Sequence, residues 1–511
     1  MPVIDSKLPS GEIDMNASDQ ELAEWAWKQF IALGWESTYT EIKPERGIAD
    51  TNWTTKTSVS PTVAVWETFA HRQELRPWNA ALTGTFADLG LPNYKIGSIL
   101  KPALKSTNFK LLNNLDEDNE IDSALVYLGK PDNIETANLI LYQAKVNSDE
   151  YDYIAKTFPD QYDPNGSLAK AAKNNTKNMK LHKTSVTDAQ GLPIAINCST
   201  PAGVKANKYI ILPCGTKTQQ GAIEIKTAFM KIDDIDVRPN GPYKDFLIRD
   251  AIYYTVNADK TYTYHNGKFA LLGIHIIRKT EQFPGFIFTS FEHKSLEQGL
   301  TINGNQHYFH FKRLAPSALD YGGFVNPDKA KAKELANGTA YGSFVKIERQ
   351  NDASVAVSDG SLYPVASPVE LVNSAYQGAL AAHNSIWANY RLIGVQAQPT
   401  TSYGPDSLPG SQVGANHFMA NFIIESDSFL GNFFGPGFLA KHAVFPKGPR
   451  FSDHSKNGDN VVKDLKSYNM GGCKGCHGVA ATAKGTDTSF LLDFGAGKPI
   501  KKPDTIHYSA D

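Results

Sequence analysis

Long apolar runs are missing from these 511 residues. None approaches the roughly eighteen apolar residues that a membrane-spanning helix needs. Charge of either sign is not in excess: 51 Lys and Arg stand against 53 Asp and Glu, a net charge of −2. That leaves no basic surplus for nucleic acid and no polybasic stretch for anionic lipid. Neither H-E-x-x-H nor G-x-S-x-G occurs, which removes two familiar hydrolase signatures. Gly435 to Ala440 fits G-x-G-x-x-A on paper, but no strand precedes it in a βαβ unit and Pro436 sits in the turn. Gly495 to Lys498 looks like the end of a phosphate loop, yet Leu492 and Pro499 stand where glycine and Ser/Thr belong. No internal repeat is visible. Met1 to Ser6 has neither the basic start nor the apolar stretch of a secretory leader. Cysteine is scarce, with 4 in the chain.

What is present is ordinary for a globular protein with substantial cores: 41% apolar, 20% charged and 11% aromatic residues. The length suggests more than one domain. Composition divides the chain into a helical and mixed region over 1–190, an antiparallel β-rich region over 191–350, and a segment over 351–511 with a long helix, a linker and a distinctive tail.

Ser18 and Glu21 form an S-x-x-E capping box, and Leu22, Trp25, Ala26, Phe30 and Leu33 follow at helical spacing. Val63 to Phe69 begins another ordered segment. Residues 105–190 are polar. Asp116, Asp118, Glu120 and Asp122 alternate there like a calcium loop, but Ile121 replaces the needed glycine, so a solvated acidic turn is expected. Asn174 to Asn178 reads as an exposed loop. From about 205 to 350 the pattern turns to strands: a short apolar run at Tyr209 to Leu212, alternation from Ile223 to Met230, and hairpins about Asn257–Lys260 and Pro284-Gly285. His307 and His310 sit three apart, so in a strand they face opposite sides. Val369 to Leu392 reads as one long helix containing His383, Gln396 to Gly414 as a linker, and Phe418 to Phe429 as a short helix. The expected class is α+β, an antiparallel β-sheet core with flanking helices and a C-terminal c-type haem-binding segment.

The last part of that expectation comes from Cys473-Lys474-Gly475-Cys476-His477, a C-x-x-C-H run. Two thiols at this spacing each form a thioether to the porphyrin edge, and the adjacent imidazole turns in to bind iron. Composition alone gives about one accidental match per thousand such chains. A redox dithiol or half of a zinc site are the rival uses of C-x-x-C, but no second C-x-x-C exists to complete a zinc ribbon. Cys473 and Cys476 are therefore the expected attachment residues of a covalent haem c, and His477 its proximal iron ligand. Cys198 and Cys214 bracket a short segment and are expected to form a disulfide, the alternative being two buried thiols. Covalent haem is normally attached after export, so a periplasmic or secreted protein is expected, with Met1 standing in place of the leader.

The other face of the iron is open. Only 34 residues follow His477, and none is methionine. Met470 is the nearest candidate; three extended residues span roughly 10 Å, and Gly471-Gly472 permit a tight path. His417, His442, His454 and His507 are alternatives, as is a vacant position. Two protein ligands favour electron transfer, whereas a vacant face admits peroxide, oxygen or nitric oxide.

Several segments carry a resemblance: Ala26 to Leu33, Val65 to Thr68, Phe283 to Phe286, Ser290 to His293, Ile386 to Tyr390, Gly475 to Gly478 and Asp487 to Leu492. Through them the chain resembles a poorly characterised family of large exported bacterial proteins with a single C-terminal c-type haem motif. The resemblance implies haem binding and electron transfer and names no substrate. The tail alone is similar to small β-rich haem proteins of the cytochrome c-prime-beta type, which implies an open distal site. The leading expectation is a monohaem c-type cytochrome serving a redox partner protein or small oxidant. The alternatives are a haem oxidoreductase of peroxidase type, and a binding or structural protein with an accessory haem.

Overall fold

The computed structural model describes residues 2–54, 60–77, 81–82, 84–94, 111–118, 124–130, 133–161, 163–180, 197–232, 241–256, 262–298, 300–302, 304–313, 344–347, 365, 367–397, 421, 423–424, 473, 477, 484–492 and 506–508. Its first helix, α1 (Asp19–Leu33), starts where the capping box requires. The Glu21 amide donates to Ser18 Oγ at 3.3 Å, and the Ser18 amide donates to Glu21 Oε2 at 2.8 Å. Two otherwise orphaned amides are satisfied in this way. The helix ends at Gly34, whose hydrogen lies against Trp387. A Cβ there would meet the indole at 2.9 Å, so only glycine admits the close approach. Trp387 Nε1 also donates to Gly34 O at 2.9 Å.

The remaining elements in chain order are β1 (Ala70–His71), α2 (Arg72–Leu75), β2 (Asn113–Leu115), β3 (Ala124–Lys130), β4 (Asn133–Val146), α3 (Ser148–Thr157) and α4 (Ser167–Lys180). Then come β5 (Ile223–Ile232), β6 (Ile248–Val256), β7 (Tyr262–Arg278), β8 (Ile287–His293), β9 (Leu300–Ile302), β10 (Asn305–Arg313) and β11 (Phe344–Ile347). The chain closes with α5 (Ser367–Ala381), β12 (Tyr390–Gln396) and β13 (Ile506–Tyr508). All thirteen strands among the described residues join one sheet, with the main path β11-β10-β3-β4-β5-β7-β6-β2 and β8 and β12 added beside β7. The pairing is antiparallel except for β2 on β6 and β13 on β7. Strands from all three compositional regions meet in this sheet. The hairpins β6–β7 and β7–β8 lie where turn residues interrupt the alternation.

The two faces of the sheet bury different side chains, as the two-residue period of a strand dictates. Leu141, Ile225, Phe229 and Ile274 face a large core that includes α1 and α5. Ile140, Tyr142, Ala228, Met230 and Leu272 face a second core. The first core is strongly aromatic. Phe30 stacks on Phe291 at 4.1 Å between centroids, Trp27 stacks on Tyr376 at 5.4 Å, and Trp27 Nε1 donates to Asn373 Oδ1 at 2.9 Å. Such pairs add about 1 kcal/mol each beyond the area they bury.

Several expectations need correcting. Asn174 to Asn178 is not an exposed loop; it lies in α4, and Asn175 is fully buried. Its amide donates to Ile210 O at 2.8 Å and its oxygen accepts from the Ile210 amide at 3.2 Å, which satisfies the backbone of an unpaired apolar run. Asp116 and Asp118 are not in a solvated turn but buried. Arg72 Nε donates to Asp116 Oδ2 at 2.7 Å and also pairs with Glu117, so opposite charge replaces solvent. Glu120 and Asp122 lie outside the described residues. Finally, α5 stops at Ala381, leaving His383 beyond its end. Asn384 takes φ +53°, the Ser385 amide donates back to Leu380 O at 3.1 Å, and the Asn384 amide to Ala381 O at 3.0 Å. This is a Schellman closure with asparagine in the left-handed position, and Tyr390 then opens β12. The linker read at Gln396 to Gly414 starts too early, since Gln396 ends β12 and Ala397 is buried; residues from 398 on lie outside the described residues. Of Phe418 to Phe429 only Asn421, Ile423 and Ile424 are described, in a turn.

Candidate functional site

A bulge in β7 positions the site. Ala228 pairs with Gly273 and Phe229 with Leu271, which leaves Leu272 as an extra residue. One inserted residue turns every later side chain to the opposite face. Beyond it, His275, Ile277 and Lys279 point to the side that carries Glu224 and Lys226 on β5. Lys226 pairs directly with His275, and His275 pairs with Ser290 on β8, where Phe288 shares the Ser290 face. A polar strip thus crosses the middle of three strands.

His477 of the C-x-x-C-H run lies against Phe288, beside this strip. Cys473 and His477 both have helical backbone and are half-buried, and Cys473 touches both cores. Their four-residue spacing puts them on one face of a helical turn. The His477 ring lies 4.6 Å from Phe288 and 4.9 Å from Phe490, centroid to centroid. Its Nδ1 is 2.6 Å from Thr488 O. A carbonyl only accepts, so Nδ1 carries the proton and the Nε2 lone pair is left for other use. Burial pushes His477 down to about 4; the Thr488 carbonyl opposes this, and the neighbouring His275 and Lys226 add to it. The imidazole is therefore neutral at physiological pH, the form in which histidine binds metal. Cys476 and Met470 lie outside the described residues, as do His417, His442 and His454. His507 is in β13, its backbone paired with Thr263.

The loop 484–492 holds the Thr488 carbonyl in place. Gly485 has φ +71° and its Cβ position is filled by Ala172 O. Asp487 and Thr488 follow at φ +52° and +75°. For such residues the left-handed region costs on the order of 1–3 kcal/mol each, so the surroundings must over-determine it. They do. Asp487 Oδ2 accepts from the Leu212 amide at 2.6 Å and from Lys279 Nζ at 2.5 Å. Thr486 Oγ1 donates to Ser489 O at 2.5 Å, and Arg76 Nη1 donates to Leu491 O at 3.0 Å. Lys279 Nζ also donates to Asn197 O at 2.8 Å, next to the disulfide that joins Cys198 and Cys214 with Cα atoms 5.2 Å apart.

Beneath the loop lies a buried acid cluster. Burial pushes Asp487 up to about 7 although Lys279 opposes it. Burial also pushes Glu224 up to about 7 and Glu150 well above the carboxylate range. The neighbouring carboxylates Glu224 and Asp487 push Glu150 up further, and Asp487 does the same to Glu224. On the other flank, Lys226 Nζ lies 2.5 Å from Glu117 Oε2 and 5.7 Å from the Tyr142 ring centroid. Glu117 and Asp116 share Arg72, which ties the strip to α2.

Of the residues expected to hold a haem, Cys473 and His477 are described and Cys476 is not. A thiol and a neutral imidazole with its Nδ1 proton committed to a carbonyl sit on one turn. Metal-binding histidines commonly use the second ring nitrogen in this way, which fixes tautomer and ring direction. The sequence singled out Cys473 and His477 but gave no signal for Lys226, Phe288 and the Thr488 carbonyl that surround His477. The resemblance segment Asp487 to Leu492 contained the loop but no hint of its function. Among the described residues no three or more His, Cys, Asp or Glu side chains converge as a metal site. No described helix is long and apolar enough to cross a membrane. Comparison with known protein families, curated proteins and solved structures gives no match.

Proposed function

We propose that this chain is a monohaem c-type cytochrome that exchanges electrons with a redox partner protein or a small oxidant. The observation that carries the reading is the bond from His477 Nδ1 to Thr488 O, set within C-x-x-C-H. Cys473 and Cys476 would hold the haem by thioethers, and His477 would ligate the iron through Nε2. When bound, the haem supplies an iron centre that changes oxidation state by one electron. Phe288 and Phe490 pack the imidazole, and the Thr488 carbonyl would keep its direction fixed. Half-burial of Cys473 and His477 supports exchange with a partner at the surface. The reading carries with it a periplasmic or secreted location, because disulfides such as Cys198–Cys214 persist in oxidising compartments.

The test is to produce the chain with c-type haem maturation machinery and record oxidised, reduced and alkaline pyridine spectra. The expected result is one haem per chain with two thioether links and a reversible one-electron couple. A chain that matures without haem, or a haem that cannot be cycled between oxidation states, contradicts the proposal.

A further inference from the structure

Lys279 and Asp487 are 208 residues apart in sequence, yet Lys279 Nζ lies 2.5 Å from Asp487 Oδ2. Neither side chain has any exposed surface. Among the described residues, the other ion pairs buried to nearly this degree use arginine: Arg46–Glu74, Arg72–Asp116 and Arg391–Glu292. A guanidinium stays charged, whereas a desolvated lysine gives up its proton and becomes a nucleophile. The Lys226–Glu117 pair keeps 13% and 8% exposure, so it retains some solvent. Lys279 and Asp487 have none.

The surroundings suit an amide better than two charges. An ammonium has three protons to place. Lys279 Nζ has two oxygen acceptors among the described residues, Asp487 Oδ2 and Asn197 O at 2.8 Å, and the Phe286 ring centroid is 5.8 Å away. Asp487 Oδ2 accepts from the Leu212 amide at 2.6 Å, but Oδ1 has no hydrogen-bond partner among the described residues. Joining Nζ to Cγ with loss of Oδ1 leaves one N–H, which Asn197 O accepts, and one carbonyl, which the Leu212 amide bonds. The orphaned oxygen disappears, and with it the penalty of burying it. The groups are also placed to react. Cγ lies one C–O bond beyond Oδ2, on the order of 3–3.5 Å from Nζ, the separation of a near-attack pair. Burial lowers Lys279 and pushes Asp487 up to about 7, which favours the neutral amine and the neutral acid.

We propose that Lys279 and Asp487 become joined by an intramolecular amide bond, a covalent staple between the end of β7 and the loop 484–492. The ion pair is the form in which the chain folds, and the amide is what it becomes. A proton passes from the ammonium to the carboxylate, and the Nζ lone pair attacks Cγ. The Leu212 amide stabilises the charge that builds on Oδ2. A second proton leaves the nitrogen, the Cγ–Oδ1 bond breaks, and Oδ1 departs with both protons as one water. No atom is oxidised or reduced, and no further reagent enters. Two buried acids beside the pair relay the protons. Glu224 stands opposite Ile277, two residues before Lys279 on the same face, so it is a diagonal neighbour of Lys279. Glu150 lies in the first turn of α3, whose cap Asn147 is bonded to Ile223, next to Glu224. Neither Glu150 oxygen, nor Glu224 Oε1, has a hydrogen-bond partner among the described residues. The staple removes two buried charges and ties Asp487 and the strained Thr488 to the sheet. It does not depend on the haem.

The experiment weighs the full chain by mass spectrometry after folding, incubation, reduction and denaturation, with any attached haem counted. The wild type is expected to be lighter than its sequence by one water. A protease digest is expected to yield one branched peptide in which Lys279 is joined to Asp487. Lys279→Arg keeps a cation and is expected at the full sequence mass. Glu150→Gln/Glu224→Gln is expected to lose water about 10²-fold more slowly, the usual worth of positioned acid–base groups. A wild type that stays at the full sequence mass overturns the proposal. So does a missing water with Lys279 and Asp487 in separate linear peptides, or a Lys279→Arg chain that also lacks a water. A double variant that loses water as fast as the wild type overturns the relay. If the variants do not accumulate, the wild-type peptide map alone decides.

Discussion

His477 Nδ1 lies 2.6 Å from the carbonyl oxygen of Thr488, and Thr488 is held at φ +75°. The acceptor is therefore backbone, aimed by a strained residue that Asp487, Lys279 and Leu212 keep in place. A side chain could have served as acceptor, but a backbone carbonyl fixed by a buried ion pair leaves the imidazole less freedom.

Replacing Thr488 by Gly tests that strain. Glycine adopts a positive φ without penalty, and the carbonyl remains. Thr488→Gly is expected to stabilise the protein by about 1 kcal/mol in denaturant melts, after the added entropy of the unfolded chain is offset. Haem attachment is expected to be unchanged. A marked loss of stability would show that the Thr488 side chain, not its backbone, does the work.

Lys279 and Asp487 are both fully buried, so removing one strands the other. Lys279→Met is expected to cost about 3–5 kcal/mol, with much of it recovered in Lys279→Met/Asp487→Leu. The penalty is expected to be larger at pH 8 than at pH 5. At pH 5 a lone Asp487 avoids its charge by keeping the proton that burial already favours. Equal penalties at the two pH values would argue that packing alone is lost.

Glu224 gives a pH dependence of defined sign. Burial raises it from 4.5 to about 7. Between those values the unfolded chain has released a proton that the native protein still holds, so stability falls as pH rises. Below about pH 4.5 both states are protonated and nothing is lost. Glu224→Gln removes this term. Its stability relative to wild type is expected to climb between pH 4.5 and 7, by on the order of 3 kcal/mol in all, and then to level off. A flat difference across that window contradicts the assignment.

The Cys198–Cys214 bond, with a sequence separation of 16, closes a short loop beside Lys279. The chain-entropy relation gives about 3 kcal/mol for a loop of this size. Cys198→Ala/Cys214→Ala is expected to lose about that much in equilibrium unfolding. A loss below about 1 kcal/mol would mean that the unfolded chain is already constrained there.

The parts legible in the sequence were those governed by local rules. Ser18 and Glu21 announced α1, and the alternation from Ile223 announced β5. What failed depended on distant partners. The acid run at 116–118 looked solvated because nothing nearby in sequence announces Arg72 and His71 as its partners. Asn175 looked like a loop residue because its partner, Ile210, is thirty-five residues away. His275 was invisible because its face is set by one unpaired residue, Leu272, in an otherwise regular strand. Cys473 and His477 stood out because C-x-x-C-H is a local pattern written into adjacent residues.

The central claim is covalent haem on Cys473 and Cys476 with His477 beside it. The most direct test is the intact mass of the denatured protein after maturation, beside that of Cys473→Ala/Cys476→Ala. The expected result is a wild-type chain heavier by one haem that survives acid-acetone extraction, and a variant at the bare polypeptide mass. A wild-type chain at the bare polypeptide mass under conditions that mature a control cytochrome contradicts the account.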